Sequence, residues 1–107
     1  MSLSVYLSAK RMTDVYDANI THNCAEMARQ AGIYNAIWNP NENGVRTAEE
    51  LIWPLRKGLA VMKAYPDHFR TFEPENGWGT YDHFVPWIEE YLDACERYPD
   101  AEITVSR

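Results

Sequence analysis

The chain is 107 residues long, 46% hydrophobic and 24% charged, with 16 acidic against 10 basic side chains and a net charge of −6. That balance fits one globular domain, residues 1–107, with a single modest core, and excludes wholesale disorder. No apolar run approaches the roughly 18 residues that span a bilayer, and no basic stretch leading into an apolar one opens the chain, so neither a membrane anchor nor a signal peptide is expected.

Residues 2–9 alternate, with Leu3, Val5 and Leu7 on one side and Ser4, Tyr6 and Ser8 on the other, which predicts a half-buried strand. A dense polar run follows: Asp17, Asn19, Thr21, His22 and Asn23 read as a loop feeding the first helix. That helix is predicted near residues 22–31, with Cys24, Met27, Ala28 and Ala31 on one face. Asn23 and Glu26 are spaced as a capping box, and Gly32 suits the position after the helix end. Tyr34, Trp38, Asn39, Pro40, Asn41 and the Asn43-Gly44 turn signal make an aromatic, Asn-rich connection.

Thr47 and Glu50 form a better capping box, ahead of Leu51, Leu55, Leu59 and Met62 at helical spacing. Pro54 is expected to kink this helix or delay its start. A short turn is predicted at Pro66–Phe72. Thr80 is the N-cap candidate for the last helix, whose stripe is Phe84, Trp87, Ile88, Tyr91, Leu92 and Cys95. Pro86 lies close enough to its start to be tolerated. Residues 101–106 alternate again, with Ile103 and Val105 opposite Glu102 and Thr104. The two terminal strands are expected to pair antiparallel, and either can also pair across a dimer. The predicted fold is α+β: a mostly helical small domain with three to four helices between the two terminal strands. Cys24 and Cys95, 71 residues apart in apolar patterns, read as free buried thiols, although a single bridge stays open.

Charge is unevenly spread. From residue 71 onward nine acidic residues stand against Arg97 and Arg107, a balance of −7, while residues 1–70 carry +1. Duplex nucleic acid is therefore an unsuitable partner, because it demands a basic face. A basic or neutral protein surface is an easier one. The plain alternative is a solvated acidic face that keeps the chain soluble.

Three stretches, Val15-Tyr16-Asp17-Ala18-Asn19-Ile20-Thr21-His22-Asn23, Glu75-Asn76-Gly77-Trp78-Gly79 and Tyr98-Pro99-Asp100-Ala101-Glu102, are distinctive phrases. With them the chain, over nearly its whole length, resembles a family of small uncharacterised proteins of bacterial and phage genomes. The resemblance implies a cytoplasmic protein in a bacterial host with a phage accessory role. It implies no activity, so no functional residue is carried over from it.

Three constellations could carry function. In the first, Asp17, Asn19, Thr21, His22 and Asn23 gather before a helix start, where free N–H groups favour an anionic ligand; capping accounts for Thr21 and Asn23 but not for Tyr16, Asp17 and His22 together. In the second, Gly77 and Gly79 bracket Trp78, so the backbone can aim the indole at a planar ligand or a protein partner, or plug it into the core. The third holds Arg46, able to reach a phosphate or carboxylate, beside the Tyr34–Trp38 pair. No zinc-type spacing joins His22, Cys24 and Asp17, while His68 and His83 are single and distant, so no metal and no cofactor is expected. Cys24 and His22 have the wrong helical offset for a nucleophile and its base.

The reading is a non-catalytic binding protein acting on a protein partner, with self-association as a homo-oligomer, most simply a two-fold dimer. Its candidate residues are Tyr16, Asp17, Asn19, His22, Arg46 and Trp78, and no catalytic residue is assigned. Tyr16, Asp17, His22 and Trp78 are expected to share one partly exposed concave surface. The first alternative is a site between subunits for a nucleotide-like small ligand, with Arg29 and Arg46 binding its anion. The second is a small hydrolase using Asp17 and His22 as base and orienter.

Overall fold

The computed structural model describes residues 1–9 and 13–107. Among the described residues the order is β1 (Ser2–Ser8), β2 (Asp14–Thr21), α1 (Ala25–Gln30), α2 (Tyr34–Trp38), α3 (Glu49–Ala64), α4 (Pro66–Arg70), α5 (Tyr81–Arg97) and β3 (Glu102–Ser106). This is a small α+β domain, mostly helical, with its helices between the terminal strands. Among the described residues it has five α-helices, and its sheet has a third strand. β1 is the middle strand, antiparallel to β2 on one side and β3 on the other. The terminal strands pair as their alternation predicts, Val5 opposite Val105 and Leu7 opposite Ile103.

The departure is β2. The polar run expected as a loop is strand as far as Thr21. Tyr16, Ala18 and Ile20 sit opposite Leu7, Val5 and Leu3. Every second residue therefore finds an apolar cross-strand partner, which outweighs the poor strand propensity of Asp and Asn. A third strand also relieves the marginal stability of a two-stranded ribbon.

Side chains alternate between the faces of a sheet. Leu3, Val5, Leu7, Ile20 and Ile103 point inward and are buried, in one core with Met27, Trp38, Leu51, Leu55, Phe84 and Tyr91 from the helices. Ser4, Tyr6, Asp17, Asn19 and Thr104 share the opposite, polar face.

The two edges of the sheet differ. On β3, the Ile103 N–H donates to the Arg46 carbonyl (2.9 Å), the Ala48 N–H donates to the Ala101 carbonyl (2.9 Å) and Asn41 Nδ2 donates to the Ile103 carbonyl (3.2 Å). These bonds clamp segment 41–48 onto that edge. They also fix the backbone parity. Because Ile103 turns its N–H and C=O away from β1, Leu3, Val5 and Leu7 bond toward β2, and the backbone groups of Asp17 and Asn19 face outward. Among the described residues no hydrogen bond reaches those outward groups. β2 is the more open edge, since on β3 only Val105 keeps outward backbone groups that no such bond reaches.

Helix starts repeat one expectation and correct another. Glu50 Oε1 accepts from the Thr47 N–H (3.4 Å) and the Thr47 hydroxyl (3.1 Å), half of a capping box. The Asn23–Glu26 box does not form. Thr21 Oγ1 accepts from the Asn23 N–H (3.3 Å), because the chain enters α1 through a 3₁₀ turn, His22–Cys24, that places Asn23 inside it. Glu26 instead meets Arg29 and Gln30. Pro54 lies within α3 and the helix continues through it. One backbone bond is lost there, while Leu51, Leu55, Leu59 and Met62 hold the helix to the core. Gly58 lets α3 approach Ile33, whose Cγ2 would lie 2.4 Å from an added Cβ.

Both cysteines are free and buried. Burial pushes each thiol up to about 12, with Glu96 adding to the effect at Cys95. Two results are expected. A thiol-specific reagent at pH 8 should label the folded chain slowly and take up two equivalents once it is denatured. Stability should also fall as pH rises from about 9 to about 12, because the unfolded chain, with thiols ionising near 9.0, there binds fewer protons than the native one. Flat denaturation midpoints across that window would contradict the burial.

Candidate functional site

Of the six residues singled out from the sequence, only Asn19 and Trp78 line the same cleft. Tyr16 points inward from β2 and stacks on Tyr91, ring centroids 6.0 Å apart. Its hydroxyl is buried with no hydrogen-bond partner among the described residues. Burial, and then Glu90, push its pKa up to about 12. It lines a groove with Glu89, Glu90, Asp93 and Ala94 of α5. Asp17 is exposed on the outer face, opposite Tyr6. Successive strand residues point to opposite faces, so Tyr16 and Asp17 do not share a surface.

His22 is half-buried, and its Nδ1 accepts a hydrogen bond from Trp38 Nε1 at 3.0 Å. This geometry uses the lone pair of a neutral imidazole, which is therefore committed to the core Trp rather than to Asp17. Arg46 stands at the other side of the sheet, in a shallow groove with Asn41, Glu102 and Thr104. The expected convergence of Tyr16, Asp17, His22 and Trp78 is thus replaced by a different one.

Asn19 and Trp78 do come together. They line a cleft of about 440 Å³ with Thr21, Gly77, Thr80 and His83. The Trp78 side chain is 71% exposed, so it is not a core plug. Its loop is nevertheless held firmly. Asn76 Oδ1 accepts from the Trp78 N–H (2.9 Å), and Gly77 has φ +76°. Gly79, at φ +102°, is buried against β2 and the 3₁₀ turn: an added Cβ would lie 3.1 Å from both Thr21 Cγ2 and Asn23 Cβ. At the far end Glu73 Oε2 accepts from the Tyr81 N–H (2.6 Å), capping α5 where Thr80 makes no side-chain bond. Glycine is required at 79 because that φ strains any L side chain and the neighbours leave no room.

Asn19 Nδ2 donates to the hydroxyls of Ser2 (2.9 Å) and Ser4 (3.0 Å), which fixes the cleft wall to β1. Reasoning from sequence missed two members of the cleft, Thr21 and His83. Thr21 was assigned wholly to capping. His83 lies three residues beyond Thr80, a spacing that places it in the first turn of a capped helix, and that signal was available.

Among the described residues no group of three or more His, Cys, Asp or Glu side chains is gathered as a metal site would need, and no helix is long and apolar enough to cross a membrane. No family model, no curated protein and no solved structure matches this chain.

Proposed function

We propose that this chain is a non-catalytic binding protein that engages a protein partner through the Trp78 cleft. One observation carries the reading: a large aromatic side chain is 71% exposed, yet its loop is shaped by the Asn76 side chain before it and packed by Gly79 against Thr21 and Asn23 after it. A rigid exposed indole is the kind of group that anchors an interface, since little conformational freedom is lost when a partner covers it. The committed hydrogen bond of His22 and the outward position of Asp17 leave the hydrolase reading without a base and orienter in contact. The small-ligand reading keeps Trp78 as a stacking wall, but Arg46 lies in a separate groove and Arg29 sits over the Tyr34 ring at 4.2 Å, away from the cleft.

The resemblance to small bacterial and phage proteins supports a setting in the bacterial cytoplasm, as an accessory factor acting on a host protein. Self-association has separate candidate contacts in the exposed Trp53 and Tyr65, which lie near opposite ends of α3.

The test is a matched pair of affinity captures from a bacterial lysate, one with the natural chain and one with Trp78→Ala. The substitution is expected to remove the specific partner, a loss of at least about 2 kcal/mol or some thirtyfold in Kd. Its melting temperature should stay within a few degrees, as for other exposed positions. A partner retained by Trp78→Ala would end the reading.

A further inference from the structure

We propose that the open edge of β2 takes up an extended, positively charged segment of a partner protein as a fourth strand, with one side chain of that segment seated against Trp78. This rests on the Trp78 cleft being the binding site and names the chemistry of its occupant.

The backbone is the first argument. Asp17 and Asn19 turn their N–H and C=O groups away from β1, and nothing among the described residues accepts or donates to them. Such an exposed edge is solvated in the free protein and is a template for a chain in extended conformation that pairs with it. Position is the second argument. Asn19 belongs both to that edge and to the wall of the Trp78 cleft, as does Thr21. A strand laid along Asp17–Thr21 therefore runs directly into the cleft. Five residues at ~3.3 Å each give a contact of roughly 16 Å, the length of a short strand.

Charge decides between occupants. Asp17 stands on the outer face of the edge. Glu90 stands on α5 beside Tyr16, in the groove along the inner side. Neither has an ion-pair partner among the described residues, whereas the neighbouring Glu89 and Asp93 are matched to Lys63 and Arg97. A segment with one Lys or Arg on each face, at positions an odd number of residues apart, would meet these two carboxylates. A second copy, with a net charge of −6, offers no cationic complement, and pairing antiparallel about Asp17 would set that carboxylate against its own duplicate, where like charges across strands are destabilising. A nucleic acid strand is repelled by the same groups.

The experiment selects a random displayed peptide library against the full chain, synthesises the enriched peptides, and measures their binding. Enriched peptides should carry a Lys or Arg on each face, at positions an odd number of residues apart, and methylating their alternate backbone amides on the pairing side should weaken binding at least tenfold. Hydrogen exchange of the Asp17 and Asn19 amides should be fast in the free protein and slowed in the complex. Asp17→Pro removes an N–H that no sheet bond uses and should weaken binding at least tenfold. Asp17→Lys leaves the backbone intact and should do the same through charge, which keeps the test decisive if the proline variant fails to fold. Peptides that need Trp78 but ignore N-methylation and Asp17→Lys would overturn strand addition while the cleft reading stands. Peptides indifferent to Trp78→Ala, or no enrichment at all, would overturn both. A native dimer that Asp17→Pro dissociates would overturn the proposed occupant in favour of a second copy.

Discussion

Removing residues 101–107 should abolish the cooperative thermal transition or lower it by more than about 15 °C. Ile103 and Ala101 are buried, and β3 covers one flank of β1, where Val5 and Leu7 are fully buried. Burying each large apolar side chain is worth about 1.5–3 kcal/mol, so the loss is on the order of 5 kcal/mol or more. Small domains have only about 5–15 kcal/mol in total, and at this size each kcal/mol moves the melting temperature by about 4–8 °C. The truncation also cuts three bonds between segment 41–48 and β3, together with the contacts of Arg107 to Asn39 and Glu42. Circular dichroism on the shortened chain measures it. An unchanged melting curve would mean that β3 is an ornament of the sheet and not part of its core.

Trp38→Ala should produce the second large effect. Trp38 is 1% exposed, stacks on Tyr34 at 5.4 Å and meets the Phe84 ring edge-on at 6.3 Å. It also joins α2 to the start of α1 through His22. Emptying a buried Trp site costs about 3–5 kcal/mol. Trp38→Phe keeps most of the ring volume and gives up the bond to a half-buried imidazole, so it should cost less than half as much. Denaturant unfolding of the two variants separates volume from hydrogen bonding. Equal losses would show that the indole N–H matters more than the ring. Trp78→Ala is the contrast: the same residue type, opposite burial, and no comparable loss of stability.

Some of this was readable from the sequence because one physical rule acted alone. β1 and β3 each have one wet and one dry face, so Leu3, Val5 and Leu7, like Ile103 and Val105, alternate cleanly. The apolar stripes of α3 and α5 were legible for the same reason, at helical spacing. β2 was obscured by composition. Tyr16, Ala18 and Ile20 do alternate with Asp17, Asn19 and Thr21, but a register shift beyond Leu7 ends the pattern early, and Asp and Asn argue locally for a turn. His22 was misread for a different reason. Its partner, Trp38, is 16 residues away and is brought to it only by the packing of α1 on α2. The glycines around Trp78 marked a constrained loop, but not which way the indole would face. That depends on Gly79 lying against Thr21 and Asn23, a contact between segments almost 60 residues apart.

The clamp on β3 has a consequence for assembly. A sheet open at both edges can add strands without limit, and such chains grow into filaments. Here segment 41–48 occupies one edge over Ala101–Ile103, and Arg107 is held to Asn39 and Glu42 beyond it. Over Ala101–Ile103 that edge has no free backbone group with which to take up a further strand. On the proposed strand addition each molecule would act as a chain terminator, because a partner strand taken up on β2 leaves the loop-covered stretch at the opposite edge unable to accept another.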